Sequence, residues 1–191
     1  MMTFWGVFLL AYFAGSVNCA ILLLRLAGKG DPREAFSGNA GVTNVYRSAG
    51  QRWAALILLF DVGRAMLLAW ISLRFLSVSQ MPWIAFALIL GNSYPCFHGF
   101  RGGKGVAAYL GFSFLLSPWT AFLAALLWVV IFRLVRIPFV ASFGMILSLA
   151  MGVVIRCGWQ TSVFFATLAT VGLIVSNHRK NISVLITGYG K

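Results

Sequence analysis

Apolar residues fill this chain in long blocks, and polar residues are confined to the short intervals between them. Residues 3–24 (TFWGVFLLAYFAGSVNCAILLL) carry no charge, and about 20 helical residues suffice to cover a hydrocarbon core of ~30 Å. Five further apolar stretches occupy 53–78, 82–98, 106–132, 137–155 and 160–176. Between them lie a polar loop at 25–52 and a short basic loop at 99–105, and a polar tail occupies 177–191. The first block has no basic residue ahead of it and exceeds the apolar core of a signal peptide, so it is expected to remain as a helix. The pattern predicts an all-α polytopic membrane protein, a single domain over 1–191 with no internal repeat.

Composition agrees: 61% of the 191 residues are hydrophobic and 9% charged, with a mean hydropathy of +0.92. Too few charges remain to cover a soluble surface. The net charge of +12, from 15 Lys and Arg against Asp31, Glu34 and Asp61, reads as the positive-inside bias of membrane proteins rather than as a nucleic-acid footprint. Cys19, Cys96 and Cys157 are scattered through apolar stretches without paired spacing, which implies packing roles.

The basic residues also set an expected topology. Arg25, Lys29, Arg33, Arg47 and Arg52 place the 25–52 loop in the cytoplasm and the N-terminus outside. Two crossings later, Arg101 and Lys104 are inside again. If 106–132 breaks at Ser117-Pro118, where proline removes a donor and disfavours helix before it, then Arg133, Arg136, Arg179, Lys180 and Lys191 also fall inside. Only Arg74 and Arg156 remain outside, with Arg64 within a helix. This version has about seven short transmembrane helices and a cytoplasmic C-terminus. Asp61 and Arg64 are three residues apart on one helical face, which suggests a structural ion pair or a contact to substrate.

Three polar segments then share the cytoplasmic side. Phe36–Arg47 packs Ser37, Asn39, Thr43, Asn44 and Arg47 among glycines, a density of donors beyond what turns require. Gly99–Val106 (GFRGGKGV) sets Arg101 and Lys104 among Gly102, Gly103 and Gly105, whose backbone N–H groups can converge on an anion at the start of the next helix. It is not a nucleotide P-loop, which would need Gly at His98 and Ser or Thr at Gly105. A flexible basic turn is the plainer alternative. His178–Ile182 (HRKNI) follows the last apolar block; by itself His178 reads as a solvated residue at the membrane surface, or as a general acid or base. With three carboxylates and two histidines in the chain, paired-carboxylate hydrolysis and metal sites are excluded, and no cofactor is implied.

These three segments, in this order between apolar helices, resemble the PlsY-type acyl-phosphate:glycerol-3-phosphate acyltransferases of bacteria. That family's Ser-Gly-Asn-x-Gly-x-Thr-Asn-x-x-Arg, Phe-Lys-Gly-Gly-Lys-Gly-Val and His-Arg-x-Asn-Ile stretches read here SGNAGVTNVYR, FRGGKGV and HRKNI. The resemblance covers essentially the whole chain. It implies a multi-pass enzyme of the bacterial inner membrane that moves an acyl group from acyl phosphate to the 1-hydroxyl of glycerol 3-phosphate, giving lysophosphatidic acid and phosphate. It implies catalytic roles for Ser37, Arg47, Lys104, His178 and Asn181. Substrate phosphate would meet Asn39, Thr43, Asn44, Arg101, Gly102, Gly103 and Gly105. Partners would be the two substrates and membrane lipids, with no nucleic acid. Departures from the family pattern are Asn92 in a histidine slot, Arg64-Ala65 for Lys-Gly, Ser142 in place of closely spaced serines in the helix after Arg136, and Gly188-Tyr-Gly-Lys191 where the family carries Gly-Thr-Glu. They leave open a catalytically impaired paralogue that binds anionic lipid precursors. Asp61, Arg64 and the basic loops leave open a small anion transporter.

Overall fold

The structure, a computed structural model, describes residues 1–188; Tyr189, Gly190 and Lys191, and so most of the divergent tail, lie outside it. Among the described residues there are ten α-helices: α1 (Met2–Ser16), α2 (Cys19–Leu26), α3 (Val42–Ala49), α4 (Gln51–Ser72), α5 (Met81–Ser93), α6 (Val106–Leu116), α7 (Pro118–Val135), α8 (Pro138–Cys157), α9 (Thr161–Ser176) and α10 (Arg179–Thr187). Several break where the sequence predicts. Pro118 opens α7 immediately after Ser117 leaves helical geometry at φ −145° and ψ 79°, because a proline has no N–H to extend the preceding ladder. The first apolar block differs from its expected single helix. It is interrupted at Val17-Asn18, where the Asn18 side chain accepts from Ile21 N–H and restarts the chain as α2.

Contacts at the helix ends fix the directions of travel. At one end Met1, Phe4 and Trp5 meet Gln80, Trp83 and Ser162, the beginnings of α1, α5 and α9. At the other, the Tyr12 hydroxyl donates to Tyr94 O at 3.0 Å and Asn177 Nδ2 donates to Ser93 Oγ at 2.8 Å. Helices α1, α5 and α9 therefore run parallel. In the α7–α8 hairpin, Thr120 lies against Gly152 and Ile131 against Gly144, so these two are antiparallel. Rings of Phe139 and Phe143 at the start of α8 face His178 at the end of α9. Direction thus alternates through the α1/α2 segment and α4 to α9, and every described basic residue except Arg64, Arg74 and Arg156 belongs to the end that holds His178.

Four segments are long and apolar enough to cross a membrane: 2–26, α4, α7 and α8; α9 is apolar over 16 residues and turns by 53° into α10. The remaining two, α5 and α6, are 13 and 11 residues long, short of the ~20 needed for a full crossing. They are tolerable because their neighbours enclose them: ten residues of α5 are buried. Close approach makes this possible. A Cβ on Gly15 would sit 2.2 Å from Leu88 O, and one on Gly91 2.0 Å from Tyr12 O, so α1 and α5 touch backbone to backbone. Outside the bundle, α3 packs beside the start of α4, and α10 leaves Val184, Leu185 and Ile186 exposed.

Candidate active site

The polar end is assembled around Asp31. Its carboxylate accepts from Arg33 N, Nε and Nη2 and from Arg25 Nη2, and these bonds, Arg33 first, hold it well below the usual carboxylate range. So anchored, Arg33 reaches across the sequence. Its Nη1 donates to His98 O at 2.6 Å and to Arg101 O at 2.9 Å, joining the first loop to the glycine-rich one. Ala40 N–H adds a bond to Gly102 O. Neither Asp31 nor Arg33 was a candidate in the sequence, where they pass for one acid and one loop cation.

Asn44 is bonded throughout. Its Oδ1 accepts from Ser37 N and Oγ at 3.2 and 3.1 Å, and its Nδ2 donates to Pro32 O and Ala35 O at 2.6 and 3.1 Å. The buried amide makes all of these bonds within its own loop, so it shapes the loop and orients Ser37. Ser37, Thr43, Arg47 and Arg101 are exposed at this end. Asn39 Oδ1 is buried without a hydrogen-bond partner.

The glycine-rich loop also corrects an expectation. Gly102 N–H donates to Ser93 O and Gly103 N–H to Asn92 O, at 3.1 and 2.9 Å. These donors cap the last carbonyls of α5 and do not converge on an anion. Glycine is needed for proximity: an added Cβ would lie 2.1 Å from Asn92 O at position 102, 2.9 Å from Asn92 Nδ2 at 103 and 2.6 Å from Ile89 Cγ2 at 105. What remains for an anion is the first turn of α6, whose N–H groups have no intrahelical acceptors, with Lys104 just ahead of its cap Gly105.

Lys104 connects the second and third segments, its Nζ donating to Asn181 Oδ1 at 2.5 Å. Burial, helped by the positive charge of Arg47, lowers its ammonium pKa to about 8. The bond from Ala40 N–H to Gly102 O brings the first segment to the same place. His178, expected at the solvated surface, is instead buried, ringed by Phe143 and Phe139. Its Nδ1 lies 2.8 Å from Ile174 O; a carbonyl only accepts, so Nδ1 carries the proton and Nε2 offers a lone pair. Desolvation, opposed by the bond to Ile174 and reinforced by Lys104, lowers its pKa to about 4 and keeps it neutral. Among the described residues no three His, Cys, Asp or Glu side chains gather as a metal would require.

Behind the loops, Asp61 and Arg64 form the ion pair allowed by their spacing, with Arg64 Nη2 3.2 Å from Asp61 Oδ1. Arg64 Nη1 donates to Ala14 O and Gly15 O at 2.8 and 3.1 Å and also to Val17 O. It therefore caps the frayed end of α1, where the helix dipole favours a cation.

The glycerol-3-phosphate acyltransferase family model matches residues 5–188. The chain belongs to this family. Glycerol-3-phosphate acyltransferases of Pseudomonas aeruginosa and Pseudomonas fluorescens are 37% and 38% identical to it, over 96% and 97% of each chain. One from Methylobacillus flagellatus is 39% identical over 93% of this chain and 91% of its own. Two crystal structures of PlsY, an integral membrane glycerol 3-phosphate acyltransferase, share the fold. The glycerol 3-phosphate form aligns with a TM-score of 0.88 at 33% identity, and the lysophosphatidic acid form with 0.84 at 32%; each alignment covers 97% of this chain and 92% of the other. Membership in the acyltransferase family agrees with the all-helical architecture and with the three polar segments meeting at one end of the bundle.

Proposed function

We propose that this protein transfers an acyl group from acyl phosphate to the 1-hydroxyl of glycerol 3-phosphate, releasing lysophosphatidic acid and inorganic phosphate. The observation carrying this reading is the Lys104–Asn181 bond at the open start of α6, with the Ala40–Gly102 bond joining the loop that holds Arg47 to it. It is a cationic, donor-rich place at which two anions are held together. Arg47, Lys104, Ser37 and Asn181 hold the phosphate groups, and neutral His178 orients Asn181 and the substrate through Nε2. The substrate hydroxyl oxygen attacks the acyl carbonyl carbon, whose oxygen takes the charge as the C–O bond forms. Collapse of this adduct breaks the bond to phosphate, and the hydroxyl proton leaves on the departing phosphate. Acyl phosphate is an activated anhydride, so positioning and charge stabilisation supply the catalysis. The seven alternating segments span the bacterial inner membrane, with the basic end and the C-terminus in the cytoplasm and Met1 outside. The acyl chain stays in the lipid.

Purified protein supplied with labelled glycerol 3-phosphate is expected to form lysophosphatidic acid from acyl phosphate, with one phosphate released per product, and none from acyl-CoA. Binding of glycerol 3-phosphate without product from either donor would instead establish an impaired paralogue. The pH profile carries a second prediction. Lys104 holds its charge below its pKa of about 8 and loses it above, so kcat/KM should fall roughly tenfold per pH unit well above 8, since this ratio reports the free enzyme. His178, neutral above about 4, adds no limb between pH 5 and 8. A Lys104→Arg enzyme, whose charge persists, should lose the alkaline limb.

A further inference from the structure

The ion pair inside the bundle has a route to the reacting end. Arg64 is tied to three backbone carbonyls at the end of α1 and to Asp61, and its Nη2 also donates to Asn92 Oδ1 at 3.3 Å. Asn92 is 4% exposed on the last turn of α5. Its main-chain carbonyl accepts Gly103 N–H at 2.9 Å, the carbonyl of the next residue accepts Gly102 N–H, and its Nδ2 lies against the face of Gly103, where a Cβ would be 2.9 Å away. Lys104 follows directly, with its ammonium on Asn181. One continuous set of polar contacts therefore runs from the frayed end of α1 through Arg64 and Asn92 to the backbone that carries the ammonium.

We infer that Arg64 and Asn92 act as a pair of positioning residues for Lys104, holding the Gly102–Gly103 backbone at the height where the ammonium meets the phosphate of glycerol 3-phosphate. The inference rests on the acyltransferase reading for its ligand. A guanidinium suits the task because it presents five donors in a fixed fork, enough to serve α1, α4 and α5 at once. The Asn92 amide is the right length to accept from Arg64 while its other half rests on a glycine. The bonds of both residues run to α1, α4 and the end of α5, so their effect passes through the backbone that carries Lys104.

Removing Asn92's side chain lets the loop relax without emptying the bundle. Asn92→Ala is expected to weaken glycerol 3-phosphate binding, read by calorimetry, about tenfold, and to raise KM by the same factor. The rate at saturation should change less than threefold and the melting temperature little. Arg64→Ala, if it folds, should show the same KM effect, and the double variant should be no worse than the weaker single one, because both act through one contact. Asn92→Ala by itself keeps the test alive if Arg64→Ala does not fold. Unchanged binding in Asn92→Ala, or a drop in the saturated rate with KM unmoved, overturns the positioning role. Calorimetry separates this result from the parent reading: weakened binding in Asn92→Ala beside a wild type that binds but makes no product keeps the pair and defeats the acyltransferase, whereas a wild type that does not bind glycerol 3-phosphate defeats both.

Discussion

Replacing Lys104 with alanine should lower kcat/KM by about three orders of magnitude while the protein still inserts and keeps its helices. Two losses combine. A hydrogen bond from an ionised donor is worth about 1.5–3 kcal/mol, and removing one preorganised donor from a site of developing charge costs about 10²–10³ in rate. Lys104 is only partly buried and outside every helix, so the fold does not depend on it. Without its ammonium, Asn181 loses the bond that holds the start of α10 against the glycine-rich loop. Transfer of labelled glycerol 3-phosphate into lysophosphatidic acid by the purified variant measures the loss. Activity within tenfold of wild type would remove Lys104 from the machinery.

The second large effect belongs to a residue with no side chain. Gly102→Ala would place a Cβ 2.1 Å from Asn92 O, a backbone atom at the end of α5, and 2.7 Å from Pro95 Cδ in a rigid ring. The loop must give instead, dragging Lys104 with it, and a displacement of ~1 Å in a reacting group can cost about 10²-fold. A fall in kcat/KM of that size with helix content preserved by circular dichroism is expected. Arg101→Ala, next door but exposed, should cost far less. Equal losses in the two variants would mean that charge, and not the seat against α5, sets the geometry of this loop.

What the sequence reveals is the layout, because bilayer length and basic residues impose strong one-dimensional rules. Pro118 marks a real reversal, Val106 starts a helix directly after Gly105, and the cations other than Arg64, Arg74 and Arg156 gather at one end of the described chain. What it hides are partners far apart along the chain. Arg33 bonds to the carbonyls of residues 98 and 101, over 60 positions away, and nothing in its neighbourhood announces that. Gly102 and Gly103 look like anion donors until the α5 carbonyls are seen to take their N–H groups. The four bonds of Asn44 within its loop are equally hidden. His178 follows an apolar helix and precedes two cations, yet Phe139 and Phe143 come from α8 to bury it. The departures at Arg64 and Asn92, separate in the sequence, touch in space.

For acyl transfer to proceed as proposed, Ser37, Lys104 and Asn181 must open onto one cytoplasmic mouth that glycerol 3-phosphate fills. Single cysteines introduced at these three positions, after replacing Cys19, Cys96 and Cys157, can be probed with a membrane-impermeant thiol reagent in inside-out and right-side-out vesicles. All three are expected to react only from the cytoplasmic face, and glycerol 3-phosphate to slow each reaction. Labelling of Ser37→Cys or Lys104→Cys from one face and Asn181→Cys from the other would contradict a single mouth.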